Sequence, residues 1–160
     1  MAHEYKAVIA WKRDAAEAFS DLKFSRAHRW SFDGGITVPA SSSPLSVRLP
    51  YSRAEAVDPE EALVAALSSC HMLTFLYLAA KQGYVVDAYA DEAVGVMTKN
   101  ARGKLFVSKV TLRPQISFSG AKQPSAAALG ELHHHAHEEC YIANSVLTEV
   151  VVETVPVSRQ

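Results

Sequence analysis

Apolar and polar residues alternate through residues 5–11 (YKAVIAW), the period of a strand with one face buried. Two further extended segments are predicted at 27–32 and 35–38. Asp33-Gly34-Gly35 between them is a turn signal, so the chain opens with a strand meander. Residues 41–44 and 50–57, rich in serine and proline, have no periodicity and read as loop. The pattern then changes to helix. Asp58 can cap, Pro59 suits a first turn that needs no amide donor, and Glu60 and Glu61 favour the positive end of the helix dipole. This helix is predicted to run to about Gln82, with Gly83 as its stop. Steps of four and three place Leu63, Leu67, Cys70, Thr74 and Tyr77 on one stripe facing another element. Strands follow at 84–89, 91–99 and 106–118, with a turn at 100–103, and are expected to extend the first sheet. A second helix is predicted from Pro124 or Ser125 to about Leu147, with Leu129, Leu132, Ala136, Cys140 and Ala143 on one face, so that both cysteines point inward from helices. An apolar, β-branched strand at 148–157 closes an α+β arrangement without internal repeats.

The 160 residues are expected to form one domain, 1–160, and a hydrophobic content of 49% is enough for a genuine core. A net charge of −1 gives no broad attraction to phosphate or anionic lipid. The expected partner is therefore a small molecule, with neither nucleic acid nor membrane. Residues 62–80 contain no Asp, Glu, Lys or Arg and have the length of a membrane span. The alanines, Ser68, Ser69, His71 and Thr74 dilute that stretch, so a helix buried inside a globular domain is the expectation. The N-terminus lacks the pattern of a secretory signal, which places the protein in the cytoplasm. In that reducing compartment two cysteines 70 residues apart are either inert buried thiols or a transient catalytic bridge, and not a permanent staple.

The run Asp58-Pro59-Glu60-Glu61, then Ala65-Ala66, then Cys70 in an apolar helix, with a second cysteine in a later helix, resembles the OsmC/Ohr family of organic hydroperoxide reductases. That family's helix opens with Asn-Pro-Glu and carries its reactive cysteine ten residues after the glutamate, the spacing of Glu60 and Cys70. The resemblance implies an OsmC-like fold, antiparallel sheets packed around two long central helices in an intertwined homodimer. It also implies that Cys70 is the peroxidatic thiolate, Cys140 the resolving thiol, and Glu60 the carboxylate that positions an arginine over the reacting sulfur. The substrate would be an organic hydroperoxide and the reductant a dithiol or protein-bound lipoyl group, with no cofactor. A thiolate is the nucleophile in such chemistry, and a cysteine in apolar surroundings needs a nearby cation to reach that form. Arg26, Arg29 and Arg53 are the candidates. The resemblance favours Arg26, which sits with the N-terminal strands, although each could equally be a solvated surface charge. Glu60 likewise fits a first helical turn without any catalytic role. In an unbroken helix it lies roughly 15 Å from Cys70, a distance that a long arginine or a partner subunit would have to span.

Two residues depart from the family pattern. His71 follows Cys70 where an apolar residue is usual, and Tyr141 follows Cys140 where hydroperoxide reductases usually have proline. Neighbouring helical residues point about 100° apart, so His71 is expected to be a buried or interface histidine with a structural hydrogen bond rather than an activating base. A rival chemistry lies in His133, His137 and Cys140, whose steps of four and three share a helical face and suit zinc. No second half-site accompanies them, and the thiol chemistry is preferred. The remaining alternative is a non-catalytic small-molecule or metal-binding protein on an OsmC-like fold, in which both cysteines merely fill core positions.

Overall fold

The computed structural model describes residues 2–154. The chain divides into two compact units, Met1–Ala62 and Leu63–Gln160. In the first, β1 (Ala7–Ala10), β2 (His28–Phe32) and β3 (Thr37–Ala40) form the expected antiparallel meander, with Ile9 opposite Trp30 and Trp30 opposite Val38. The β2–β3 turn closes through Gly35, whose φ of 82° suits a residue without a Cβ. Ser41 N–H donates to Val57 O at 3.0 Å and Val57 N–H to Pro39 O at 3.2 Å. These bonds strap the loop before the first helix onto β3.

That helix, α1 (Pro59–Lys81), begins where its sequence signals place it. Glu61 N–H donates to Asp58 Oδ1 at 2.8 Å, and Glu61 Oε2 accepts from Asp58 N–H at 3.2 Å. This reciprocal capping box satisfies two of the amides a helix start leaves open. Gly83, with φ 79°, ends the helix as expected. The buried stripe, however, is Leu67, His71, Phe75 and Ala79, a strict four-residue row. Of the expected stripe only Leu67 is fully buried; Leu63, Cys70 and Thr74 are half-buried and Tyr77 is 65% exposed. By length and composition α1 could cross a membrane, yet its buried row carries the core of the C-terminal unit. The helix is buried along that row, and its other faces are half-buried or exposed.

The strands after α1 do not extend the first sheet. β4 (Val85–Asp91) pairs antiparallel with β7 (Pro114–Ser119), while β5 (Val94–Lys99), β6 (Leu105–Leu112) and β8 (Glu149–Val152) form a separate sheet. The single strand expected over 106–118 is thus two strands in two sheets. Pro114 lacks the amide that would continue a ladder, and it opens β7 instead. β8 runs parallel to β6, with Val150 opposite Val110. Residues 155–157 of the predicted closing strand lie outside the described residues. The turn at 100–103 forms as expected, with Asn100 Oδ1 accepting from Arg102 and Lys104 N–H at 2.9 and 3.0 Å.

The second helix, α2 (Ala126–Glu138), starts at the Ser125 cap but ends nine residues before the predicted Leu147. A short 3-10 helix, Ala143–Ser145, takes over the remainder. Two apolar clusters form the core of this unit. Phe75, Ala79, Leu129, Leu132 and Ala136 join the C-terminal half of α1 to α2 under β4 and β7. Leu67, Val110 and Leu112 join its N-terminal half to β6, with Val150 and Val152 of β8 alongside. Gly95 in β5 permits that second contact, since a Cβ there would stand 2.6 Å from Val64 Cγ2. Val64 is β-branched and rotates little. Gly95→Ala is therefore expected to destabilise the protein by about 1–3 kcal/mol, measured as a lower urea midpoint with unchanged m-value. A midpoint equal to wild type would show that Val64 moves aside freely.

Candidate functional site

Cys70 and Cys140 are brought together in the C-terminal unit. Both are free thiols; Cys70, on α1, is partly exposed and Cys140 is buried, 1% accessible. Cys140 lies just beyond α2 and not within it, in the linker to the 3-10 helix. Its N–H still donates to His137 O at 3.3 Å, and its Sγ accepts from Ala143 N–H at 3.5 Å. Burial pushes the Cys140 thiol up to about 11, and a hydrogen bond between its sulfur and the Cys70 side chain adds to the rise. The pair is asymmetric: one residue is partly exposed, the other buried with its thiol held protonated.

Beside the sulfurs lies a feature the sequence pattern did not disclose. His71, 1% exposed on α1, and His133, 4% exposed on α2, are hydrogen bonded through Nε2 and Nδ1 at 3.0 Å. Their rings are parallel within 7° at 5.4 Å between centroids, and Phe75 stacks on His133 at 4.5 Å. His71 was expected to be buried with a structural hydrogen bond, and it is. His133 was expected on a shared face with His137 and Cys140, but its Nδ1 is turned to His71. Among the described residues no three His, Cys, Asp or Glu side chains are placed to hold one metal ion. The only advance hint of the pair was spacing: His71 and Phe75, and His133 and Ala136, continue the buried rows of their own helices.

Asp91 at the end of β4 organises the same region. Its Oδ2 accepts from Ser68 Oγ at 2.5 Å and its Oδ1 from Arg113 N–H at 2.6 Å. The Tyr89 hydroxyl, His71 Nδ1 and His137 Nδ1 are buried without a protein partner. Burial, reinforced by Asp91, raises the Tyr89 phenol beyond its usual range.

The arginine and glutamate candidates belong to the N-terminal unit. Arg26 Nη1 donates to Leu22 O at 2.8 Å and Phe24 O at 2.5 Å, and its guanidinium lies 3.7 Å over the Phe24 ring. It lines an open, largely apolar cavity of about 350 Å³ with Ile9, Trp11, Phe24 and His28. Trp11 packs edge-on against Phe24 at 5.5 Å. Arg29 is exposed, and Arg53 is exposed with Glu55 at 4.0 Å. Glu60 is half-buried and makes no ion pair among the described residues; its neighbour Glu61 is the one that caps α1.

Burial lowers His71 to about 4, with His137 adding to the effect and Asp91 opposing it; burial and then His71 lower His133 to about 4. Unfolded imidazoles titrate near 6.5. Between pH 6.5 and 4 the unfolded chain thus binds more protons than the folded one, so stability falls as pH drops through that window. The expected loss between pH 7 and 4.5 is several kcal/mol for the two rings together, an order-of-magnitude figure. Urea unfolding at both pH values tests it: the double variant His71→Phe/His133→Leu should lose much less stability than wild type, and equal losses would refute the assignment.

The OsmC-like protein family matches residues 52–155. An OsmC-like protein of unknown function from Vibrio cholerae is 56% identical, with a TM-score of 0.94 over 96% of this chain and all of that one. The organic hydroperoxide resistance protein OhrB of Bacillus subtilis shares 17% identity at a TM-score of 0.66, covering 96% and 98% of the two chains. That from Elizabethkingia anophelis shares 14% at 0.71, covering 99% of each. These two establish likeness of fold. No functionally curated protein matches the sequence. With antiparallel strands, two helices and a family match across well over half its length, the chain belongs to the OsmC-like family.

Proposed function

We propose that this protein is a cysteine-based peroxidase that reduces organic hydroperoxides to alcohols. The observation that supports this reading best is the pairing of a partly exposed Cys70 with a buried Cys140 whose thiol is held protonated. In this reading the Cys70 thiolate attacks the terminal oxygen of the hydroperoxide. The O–O bond breaks, the alkoxide leaves and takes up a proton as alcohol, and Cys70 becomes a sulfenic acid. The Cys140 sulfur then attacks Cys70 Sγ. The S–O bond breaks, and the Cys140 proton departs with the hydroxyl as water, leaving a disulfide. A dithiol of the lipoyl type supplies the two electrons and two protons that restore both thiols. The raised Cys140 pKa supports this order of events: a buried, protonated thiol is a poor first nucleophile at neutral pH and suits the resolving role.

Arg26 and Glu60 keep the roles the resemblance gives them, Arg26 as the cation that favours the thiolate and Glu60 as the group that orients it. The exposed Leu73 and Tyr77 on α1, with Val94, Val96 and Met97 on β5, form apolar surface of the kind a second copy of the chain would cover. A homodimer is part of the proposal.

Mass spectrometry of the reduced protein after one equivalent of an organic hydroperoxide tests the chemistry. The expected product has lost two hydrogens and yields a peptide linking Cys70 to Cys140. Cys140→Ser should stop at a Cys70 sulfenic acid, and Cys70→Ser should abolish peroxide consumption. Arg26→Ala should lower the rate of the first oxidation by tenfold or more. Full peroxidase activity in Cys70→Ser, or two unchanged thiols in wild type, would replace this reading with a binding protein on the same fold.

A further inference from the structure

His71 and His133 present a cost that needs an explanation. Two buried imidazoles, one of them stacked on Phe75, give up hydration that a leucine pair would not, and in return they share a single hydrogen bond. A bond of this kind adds little net stability, but it fixes one arrangement of the helices that carry it. Its location makes that arrangement matter. His71 immediately follows Cys70, and His133 lies seven residues, about two helical turns, before Cys140. Among the described residues it is the one side-chain hydrogen bond joining α1 to α2. The His133 ring is held between His71 and Phe75, so the bond cannot be kept by a swing of the ring if the helices slide.

We propose that the His71–His133 bond is a latch that sets the approach of Cys70 and Cys140, making both imidazoles positioning residues for disulfide closure. This rests on the reading of Cys70 and Cys140 as a pair that closes a disulfide. A disulfide tolerates a narrow range of geometry, with Cα atoms within roughly 7 Å, and a sub-ångström slide of α2 along α1 moves Cys140 directly. One proton bridges the two nitrogens. When both rings are protonated, two N–H groups face each other and the bond is lost. The neighbours act in opposite senses: His137 from α2 disfavours a proton on His71, Asp91 from β4 favours it, and the Tyr89 hydroxyl from β4 is neutral beside Phe75. Asp91 is itself held by Ser68 of α1 and by the Arg113 amide. The latch therefore stays closed at neutral pH and opens in acid.

The reduced protein is equilibrated with mixtures of reduced and oxidised glutathione at pH 7, and the fraction carrying the Cys70–Cys140 disulfide is read by mass after acid quench. His133→Leu keeps the volume and removes the bond. It should lower the equilibrium constant for the disulfide at least tenfold, about 30 mV, while the reduced variant unfolds in urea no earlier than wild type. His133→Asn, which restores a polar atom near the Nδ1 position, should return the constant to within threefold of wild type. If His133→Leu does not fold, His71→Phe, which keeps a ring and removes the nitrogens, makes the same comparison. A folded His133→Leu or His71→Phe with the wild-type constant overturns the latch. So does a His133→Asn no better than His133→Leu. A wild-type protein that forms no such disulfide at any glutathione ratio overturns the underlying pair instead.

Discussion

The fold of the C-terminal unit depends on one row of side chains. Leu67, His71, Phe75 and Ala79 recur every four residues along α1, and both apolar clusters of that unit are built on members of the row. A four-residue repeat drifts slowly around a helix with 3.6 residues per turn. Its two ends therefore face different directions, and a single helix can serve two sheets. Leu67 meets β6, Phe75 and Ala79 meet α2 under β4 and β7, and His71 stands where the two clusters part. A polar pair at that boundary disrupts neither apolar cluster. Cys70 is displaced by one residue, about 100° around the axis, which is why it is partly exposed while its neighbour is sealed.

The same geometry explains the asymmetry of the sulfurs. Cys140 follows a helix that has already ended, and its backbone is held by His137 O on one side while its sulfur accepts from Ala143 on the other. Accessibility and protonation are thus divided between the two cysteines by ordinary features of helix termination.

Local signals in the sequence were reliable where the chemistry is local. Asp58, Pro59 and Glu61 mark the start of α1, Gly83 its end, Ser125 the start of α2, and Asp33-Gly34-Gly35 the first hairpin, because caps and turns are decided within four or five residues. What depends on distant partners was not legible. The buried row of α1 competes with a second apolar row through Leu63, Cys70 and Tyr77, and only packing selects between them. The run 106–118 is uniformly strand-like, and the switch of sheets at Pro114 is visible only once β7 has found β4. The end of α2 at Glu138 has no glycine or proline to announce it; beyond it Ile142, Ala143 and Val146 pack on the second apolar cluster. Of the candidate site, the two cysteines could be named from their setting. Their histidine neighbours could not be paired, because His71 and His133 are 62 residues apart and nothing local links them.

The parallel pairing of β8 with β6 has a consequence for the chain while it is being made. β6 is flanked on one side by β5, its hairpin neighbour, and on the other by a strand that follows Cys140. At a synthesis rate of about 5–20 residues per second, Cys70 emerges roughly 4–14 s before Cys140. The second edge of β6 is closed by β8 only after that. Throughout this interval the nascent chain carries Cys70 without Cys140 and a central strand paired on one side only, so the ribosome-bound protein has a lone thiol and an open sheet edge that the finished fold does not.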